Sequence, residues 1–280
     1  GTDPSDGYWT VAVTIVATLF LLIGSRGLIT GGVPAIREFV PLGQPTELVR
    51  EWWSGWRTPG LGAAGGTPTL NLVAGVLGWI TFGSAGLVRT VLILSPLPLG
   101  AISVWRLLRG CASSPARAAG LLTYLVNPLP YNAIAEGRWQ ALVVYAATPA
   151  ILGRIARAGA WAPFDGAQPA PGSVQRQTVG MGVVIAAATA IAPVTSIVAV
   201  LLCAVVLAVM AVLNREGRPL KALAVTGGGL VLSALIHLPW TLSVLTSSNR
   251  WEILTGASAS RRSPVSLSEA LHFDTGPHGG

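Results

Sequence analysis

Three acidic residues stand in one polar stretch near the start of the chain: Glu38, Glu47 and Glu51. The whole chain of 280 residues has only 11 acidic residues. A positioned carboxylate can act as a general base toward a hydroxyl group, such as that of a sugar. It can equally be the solvated partner of a neighbouring arginine, here Arg37 or Arg50. Glu38 is the candidate catalytic base, because the other two lie on a predicted helix that needs a polar face in any case.

A second polar group lies further along the chain, where Asn132, Glu136 and Arg138 precede Trp139. Arginine binds phosphate through two parallel N–H donors. Arg138 and Asn132 would therefore suit a phosphate or pyrophosphate head group, with Glu136 as a second candidate catalytic carboxylate. The alternative is a local ion pair that caps the next helix.

Tryptophans and two further arginines complete the candidate binding residues. Trp52, Trp53 and Trp56 are close enough in sequence to form a platform for a sugar-bearing substrate. They are equally suited to anchor the chain at the membrane–water interface, where tryptophan is enriched. Arg57 follows them, and Arg89 lies inside an apolar run. Either arginine could hold a lipid phosphate, and Arg89 could instead extend its side chain to the interface.

The composition indicates a membrane protein. The chain is 51% hydrophobic and only 10% charged, and its mean hydropathy is +0.62. Soluble domains have roughly 25% charged residues, and several apolar runs here approach the ~20 residues that a bilayer requires. We therefore expect an all-α, polytopic helical bundle that lies in the membrane and contacts its lipids. We expect residues 1–280 to form a single transmembrane module.

The apolar runs predict about seven transmembrane helices. They cover residues 8–25, 87–108, 118–130, 139–155, 178–193, 195–213 and 222–240. A shorter run at 70–82 is interpreted as a half-helix. Residues 46–56 place apolar and polar side chains on opposite faces of a helix, which predicts an amphipathic helix lying in the interface.

The positions of the basic residues predict the orientation. Arginines and Lys221, the one lysine, gather in three short loops: Arg106, Arg109 and Arg117; Arg154, Arg157 and Arg176; Arg215, Arg218 and Lys221. The positive-inside rule places these loops in the cytoplasm. The N-terminus of the chain is then cytoplasmic. The first loop at 26–68, the loop at 127–138 and the tail at 241–280 are external. The arginine-rich composition favours a bacterial plasma membrane.

Several function classes have no support in the sequence. The arginines form no basic run with interleaved aromatics, so we expect no nucleic-acid partner. No His, Cys or carboxylate spacing matches a metal site, and neither a phosphate-binding glycine loop nor a serine-hydrolase motif is present. The two cysteines are not expected to form a disulfide. Because the chain begins with glycine rather than methionine, we expect it to be part of a longer protein.

Three segments resemble the membrane portion of large actinobacterial glycosyltransferases. They are LITGGVPA (28–35), WSGWR (53–57) with GLG (60–62), and PLPYN (128–132) with GRW (137–139). Those proteins carry a family-two glycosyltransferase domain followed by many transmembrane helices. The layout also resembles the GT-C superfamily, which includes the arabinofuranosyltransferases of the mycobacterial cell wall. In that superfamily, an acidic residue in the first external loop acts as the base.

The resemblance implies a cell-envelope glycosyltransferase. Its donor would be a polyprenyl-phosphate sugar, its acceptor a glycan or lipid of the cell wall, and it would need no cofactor. The GT-C pattern places an acidic residue directly after the first span, whereas Ser25, Arg26 and Gly27 supply none here. Two alternatives remain open: a transporter or flippase of lipid-linked saccharides, and a non-catalytic membrane anchor for a fused glycosyltransferase domain.

Overall fold

Helices form most of the computed structural model, which describes residues 4–54, 56–57, 63–64, 68–110, 113–161, 173–213, 217–238 and 240–247. The α-helices are α1 (Pro4–Gly31), α2 (Pro45–Ser54), α3 (Thr69–Ile80), α4 (Ala85–Leu94), α5 (Pro96–Leu107), α6 (Ser114–Val126), α7 (Pro128–Ala135), α8 (Trp139–Ala158), α9 (Val174–Thr189), α10 (Thr195–Val212), α11 (Pro219–Ile236) and α12 (Trp240–Thr246). A 3₁₀ turn, Leu108–Gly110, extends α5. Two short strands, β1 (Trp56–Arg57) and β2 (Ala63–Ala64), pair in antiparallel fashion.

Five helical segments in the described parts of the chain are long and apolar enough to cross a membrane. They are Thr14–Gly31, Ala85–Gly110, Trp139–Ala158, Thr195–Val212 and Pro219–Ile236. The second of these contains both α4 and α5. Pro96 lies in the first turn of α5, where a missing backbone N–H costs little. The protein is thus a membrane-embedded helical bundle.

The other predicted spans are shorter than a bilayer. Helix α6 has 13 residues and α9 has 16, so the predicted number of seven crossings stays a prediction. The apolar run at 70–82 forms α3, whose 12 residues extend about 18 Å. That length is well below the ~30 Å thickness of a hydrocarbon core, and α3 packs instead against α2.

Two predicted boundaries were wrong at the start of the chain. Helix α1 continues through residues 26–31, so the first loop begins at Gly32 rather than at position 26. Gly32 has a φ of +76°, a backbone conformation that glycine adopts readily and that ends helices. The amphipathic helix predicted at 46–56 is α2, which ends two residues earlier because Trp56 pairs with Ala64 between the two strands.

Residues 127–138 were predicted to form an external loop, but they contain a helix, α7. Pro128 occupies its first turn, and the side chain of Asn127 accepts a hydrogen bond from the backbone N–H of Leu129 at 2.9 Å. These prolines therefore start a helix instead of preventing one. Likewise, the tail predicted as polar from position 241 begins within α12, whose Trp240 and Val244 are buried. Residues 248–280 of that tail lie outside the described residues.

Glycines allow the central helices to approach closely. Helices α5 and α8 run side by side, and a Cβ on Gly100 would lie 3.0 Å from the backbone of Ala146. Helices α9 and α11 meet in the same manner at Gly182 and Gly229. Small residues are the usual means by which helices pack in membranes, where lipid and side chains are equally apolar. The close packing of α5 against α8, and of α9 against α11, therefore depends on these glycines.

Helix α8 defines two ends of the bundle. Its 20 residues span about 30 Å. At one end, Trp139 packs against the first loop, and we call this the loop end. At the other end, Arg157 lies beside Arg106 and Arg154, and we call this the arginine end.

Gly229→Ala is predicted to destabilise the bundle. The new Cβ would lie 2.6 Å from Cγ of Met181 and 3.2 Å from the backbone nitrogen of Gly182, so α9 and α11 must separate. We expect a loss of about 1–3 kcal/mol, visible as a lower thermal unfolding temperature in detergent. Gly227→Ala is the matched control because its Cβ would meet open space. Equal unfolding temperatures for both variants would contradict the packing described.

Candidate functional site

The first loop is folded back onto the loop end of the bundle. Phe39 is only 1% exposed, and Val33 and Leu48 are also buried in the same apolar cluster as Trp139 and Ile93. This cluster fixes residues 32–44 against α4 and α8. The loop is thus a packed part of the protein rather than a surface extension.

Arg89 holds the loop through its backbone. Its Nη2 donates hydrogen bonds to the carbonyl of Pro34 at 2.6 Å and to the carbonyl of Phe39 at 2.9 Å. Hydrogen bonds from a charged donor are among the stronger ones in proteins. In this structure, therefore, Nη2 of Arg89 is bound to two backbone carbonyls of the first loop.

Gly137 permits the closest approach between the loop and the bundle. A Cβ at this position would lie 2.6 Å from the carbonyl oxygen of Ile36, and the φ of Gly137 is +67°. The backbone N–H of Glu38 donates to the carbonyl of Gly137 at 3.1 Å. Any side chain larger than a hydrogen atom would therefore push the loop away from the turn between α7 and α8.

Glu38 caps the N-terminus of α8. Its Oε2 accepts a hydrogen bond from the backbone N–H of Gln140 at 2.8 Å. That N–H is one of the first-turn donors for which an α-helix has no partner of its own. The positive end of the helix dipole also attracts the carboxylate charge. The candidate base is thus positioned by α8, although it belongs to the loop.

A cavity of about 600 Å³ opens beside Glu38, and we call it the loop-end cavity. The carboxylates of Glu47 and Glu51, both on α2, also line it. Asn71 on α3 lines it too and donates to Oε2 of Glu51 at 3.3 Å. The cavity therefore brings together all three carboxylates of the first loop. Helix α2 reaches this position because Pro45 packs directly on Gly78 of α3.

Two buried polar atoms belong to residues that line the loop-end cavity. Nε1 of Trp139 and Oε1 of Gln140 have no hydrogen-bond partner among the described residues. Most buried polar groups in proteins are paired. Because both atoms are almost fully enclosed, a water molecule or a ligand can pair with them only if the cavity wall shifts slightly. A sugar could then pair with both, since each hydroxyl both donates and accepts.

The second polar group is an ion-pair cluster outside the loop-end cavity. Glu136 is bound on one side by Arg37, at 3.4 Å, and on the other by Nε of Arg138. The carboxylate is 14% exposed, whereas the two arginine side chains are 44% and 54% exposed. Two guanidinium groups share one carboxylate, so the cluster has a net positive charge. Asn132 lies one turn earlier on α7 and does not line the cavity.

Trp52 and Trp53 are not among the described residues that line the loop-end cavity. Trp53 is 83% exposed, and its ring lies 6.2 Å from that of Trp52 on α2. This arrangement fits an interfacial anchor, and it also leaves an aromatic surface open to a ligand. Trp56 and Arg57 form β1, but their side chains lie outside the described residues.

Some site residues were missed by sequence reasoning. Trp139 and Gln140 were interpreted only as the start of a span, and Asn71 as part of an apolar run. Glu47 and Glu51 were assigned to a solvated helix face, although both line the cavity. One feature of the sequence did indicate this site: Asn71 is a polar residue within an apolar helix. In the described part of the chain, no three His, Cys, Asp or Glu residues lie close enough to hold a metal ion.

Arg89→Gln is predicted to loosen the first loop. It removes the charged donor to Pro34 and Phe39, at a cost of about 1.5–3 kcal/mol for each hydrogen bond. We expect faster proteolytic cleavage within residues 32–44 in detergent. Arg26→Gln is the control, since Arg26 is exposed on α1. Cleavage at the same rate in both variants would show that Arg89 does not hold the loop.

No protein-family model, curated protein or solved structure matches this chain. Its function must therefore be argued from the site itself. The features that bear on function are the three carboxylates around one cavity, the two unpaired polar atoms beside them, and the positive cluster around Glu136.

Proposed function

We propose that this chain is the membrane module of a cell-envelope glycosyltransferase, which transfers a sugar from a polyprenyl-phosphate donor to a glycan or lipid acceptor. The observation that supports this most is the loop-end cavity, which combines the carboxylates of Glu38, Glu47 and Glu51. Its volume of about 600 Å³ falls within the range of about 300–1,000 Å³ found for small-molecule sites. The resemblance of the three sequence segments points to the same activity.

Glu38 is the proposed catalytic base. One of its carboxylate oxygens is bound to the N–H of Gln140, and a carboxylate has further acceptor positions. In the proposed reaction, Glu38 takes the proton of an acceptor hydroxyl. The hydroxyl oxygen then forms a bond to the anomeric carbon of the donor sugar. The bond from that carbon to the phosphate oxygen breaks, and the polyprenyl phosphate leaves with the electron pair.

The cluster around Glu136 is the proposed site for the lipid phosphate. Arg37 and Arg138 are half-exposed and together carry one more positive charge than Glu136 neutralises. A guanidinium binds phosphate oxygens in a bidentate manner. Glu136 then orients the two arginines and takes no part in proton transfer. The tryptophans on α2 would position the acceptor at the membrane surface.

The proposed orientation puts the loop end outside and the arginine end in the cytoplasm. It follows from the positive-inside rule, applied to the loops that contain Arg106, Arg154 and Lys221. In this orientation the site faces the external leaflet of a bacterial plasma membrane. Donor and acceptor would both be reached from that side.

Glu38→Gln tests the assignment. The amide oxygen can still accept from the N–H of Gln140, so the loop should remain docked while the base is lost. We expect sugar transfer from a polyprenyl-phosphate donor to fall by about 10²–10⁴-fold. The measurement is made in membranes that contain the complete protein at normal expression. Undiminished transfer would refute the assignment of Glu38.

Two further variants separate the roles of the acidic and basic residues. Arg138→Ala should weaken donor binding, because it removes a phosphate ligand. Glu136→Gln should retain measurable transfer, because Glu136 contacts arginines rather than the cavity. If Glu136→Gln abolished transfer while Glu38→Gln did not, the catalytic carboxylate would be Glu136.

A transporter of lipid-linked saccharides is the second candidate function. It is favoured by Ile191, which lines both the loop-end cavity and a groove that continues to the arginine end. A transporter would move a labelled lipid-linked sugar across liposomes, and Ile191→Trp would slow that movement. A transferase would not carry the labelled lipid-linked sugar across the membrane. It would instead transfer the sugar to an acceptor.

A further inference from the structure

An apolar groove lies between α5, α8 and α9, with a volume of about 370 Å³. It is separate from the carboxylates of the loop-end cavity and runs from Ser95 to the arginine end. We call it the arginine groove. Its walls are mostly apolar, and on α5 they include Leu99 and Ile102, which are 59% and 50% exposed. The groove is therefore open along its side to the surrounding lipid.

Three arginines close one end of the groove: Arg106 on α5, and Arg154 and Arg157 on α8. Glycines make room for two of them. The guanidinium of Arg157 lies 3.7 Å from the Cβ position of Gly153, and Nε of Arg154 lies 4.0 Å from that of Gly180. Arg154 and Arg157 thus fold against the helices, whereas Arg106 is exposed.

In the described parts of the chain, no carboxylate lines the arginine groove. Among the residues that the structure describes, none of the three arginines forms an ion pair. All three cations line the same groove, where like charges repel one another, and Nη1 of Arg154 also donates to the carbonyl of Ala150 at 3.2 Å. Clustered arginines without a carboxylate are a recurring feature of phosphate sites, because a phosphate relieves this repulsion and accepts several hydrogen bonds.

The groove is long enough to hold an acyl chain of one leaflet. It extends from Ser95 to Arg106 on α5, a rise of about 16 Å, and from Val143 to Arg157 on α8, a rise of about 21 Å. Half of a hydrocarbon core is about 15 Å. A lipid with its phosphate at the arginines could therefore lay one acyl chain along the whole groove, in the leaflet to which its head group belongs.

We propose that the arginine groove binds an anionic phospholipid of the leaflet at the arginine end. The phosphate contacts Arg106, Arg154 and Arg157, and one acyl chain lies along Leu99 and Ile102. The apolar walls select a lipid over a free phosphate, and the arginines select an anionic head group over a zwitterionic one. The three arginines lie toward the opposite end of α8 from Gln140 of the sugar-transfer site, about 25 Å from it in the case of Arg157, and Ile191 lines both the groove and the loop-end cavity.

Native mass spectrometry of the complete protein tests this proposal. The protein is released from vesicles of phosphatidylcholine alone, or of phosphatidylcholine with one-fifth phosphatidylglycerol. We expect retained phosphatidylglycerol, and an Arg154→Gln/Arg157→Gln variant should retain it about 25-fold less, the product of roughly fivefold for each arginine. The matched control is Arg176→Gln/Arg218→Gln, which removes two exposed arginines from the same end of the bundle. Equal retention by both double variants would overturn the proposal.

A second variant tests the apolar part without changing any charge. Ala187 lines the groove and is exposed, so Ala187→Phe should fill the space of the acyl chain and leave the core intact. We expect it to reduce lipid retention about tenfold. If inorganic phosphate displaced the lipid from the parent protein at millimolar concentration, or if Ala187→Phe retained lipid normally, the groove would be a free-phosphate site and the proposal would fail.

Discussion

The docking of the first loop onto the N-terminus of α8 is the interaction on which the candidate site depends. A helix buried at its N-terminus needs partners for its first backbone N–H groups, and Glu38 supplies one for Gln140. The same contact places the carboxylate beside the cavity. Arg89 and Gly137 then fix the loop on either side of Glu38. Helix stability and site geometry are thus coupled through one side chain.

Because Glu38 has both a structural contact and a proposed catalytic role, the choice of substitution at this position determines what an experiment can show. Because the carboxylate binds a backbone donor, truncating it to alanine would leave that N–H unpaired and disturb the loop. A loss of function in such a variant would not distinguish a catalytic role from a structural one. Glutamine keeps an acceptor oxygen and removes only the charge. The contrast between alanine and glutamine at this position therefore separates the helix cap from the base.

Hydrophobic periodicity predicted the class of fold and the position of α2 to within two residues, because both depend on the local pattern of apolar side chains. It did not predict where polar side chains find their partners. The contact of Arg89 with the carbonyls of Pro34 and Phe39 joins positions about fifty residues apart, and no local pattern encodes it. Residues 127–138 were predicted as a loop, because the role of Pro128 depends on whether Asn127 caps the next turn. Glu38 was found as an acidic residue in a polar loop, but its partner Gln140 was not.

The charge distribution of the site determines how a polyprenyl-phosphate sugar would have to bind. A phosphate placed in the loop-end cavity would meet the carboxylates of Glu38, Glu47 and Glu51, and like charges at short range repel strongly where water is scarce. The phosphate is therefore favoured outside the cavity, at the positive cluster formed by Arg37 and Arg138. Only the uncharged sugar would enter, with its hydroxyls toward Trp139 and Gln140. In the proposed reaction, the cavity would thus discriminate between the two halves of the donor by charge, and the bond to be broken would lie at its mouth.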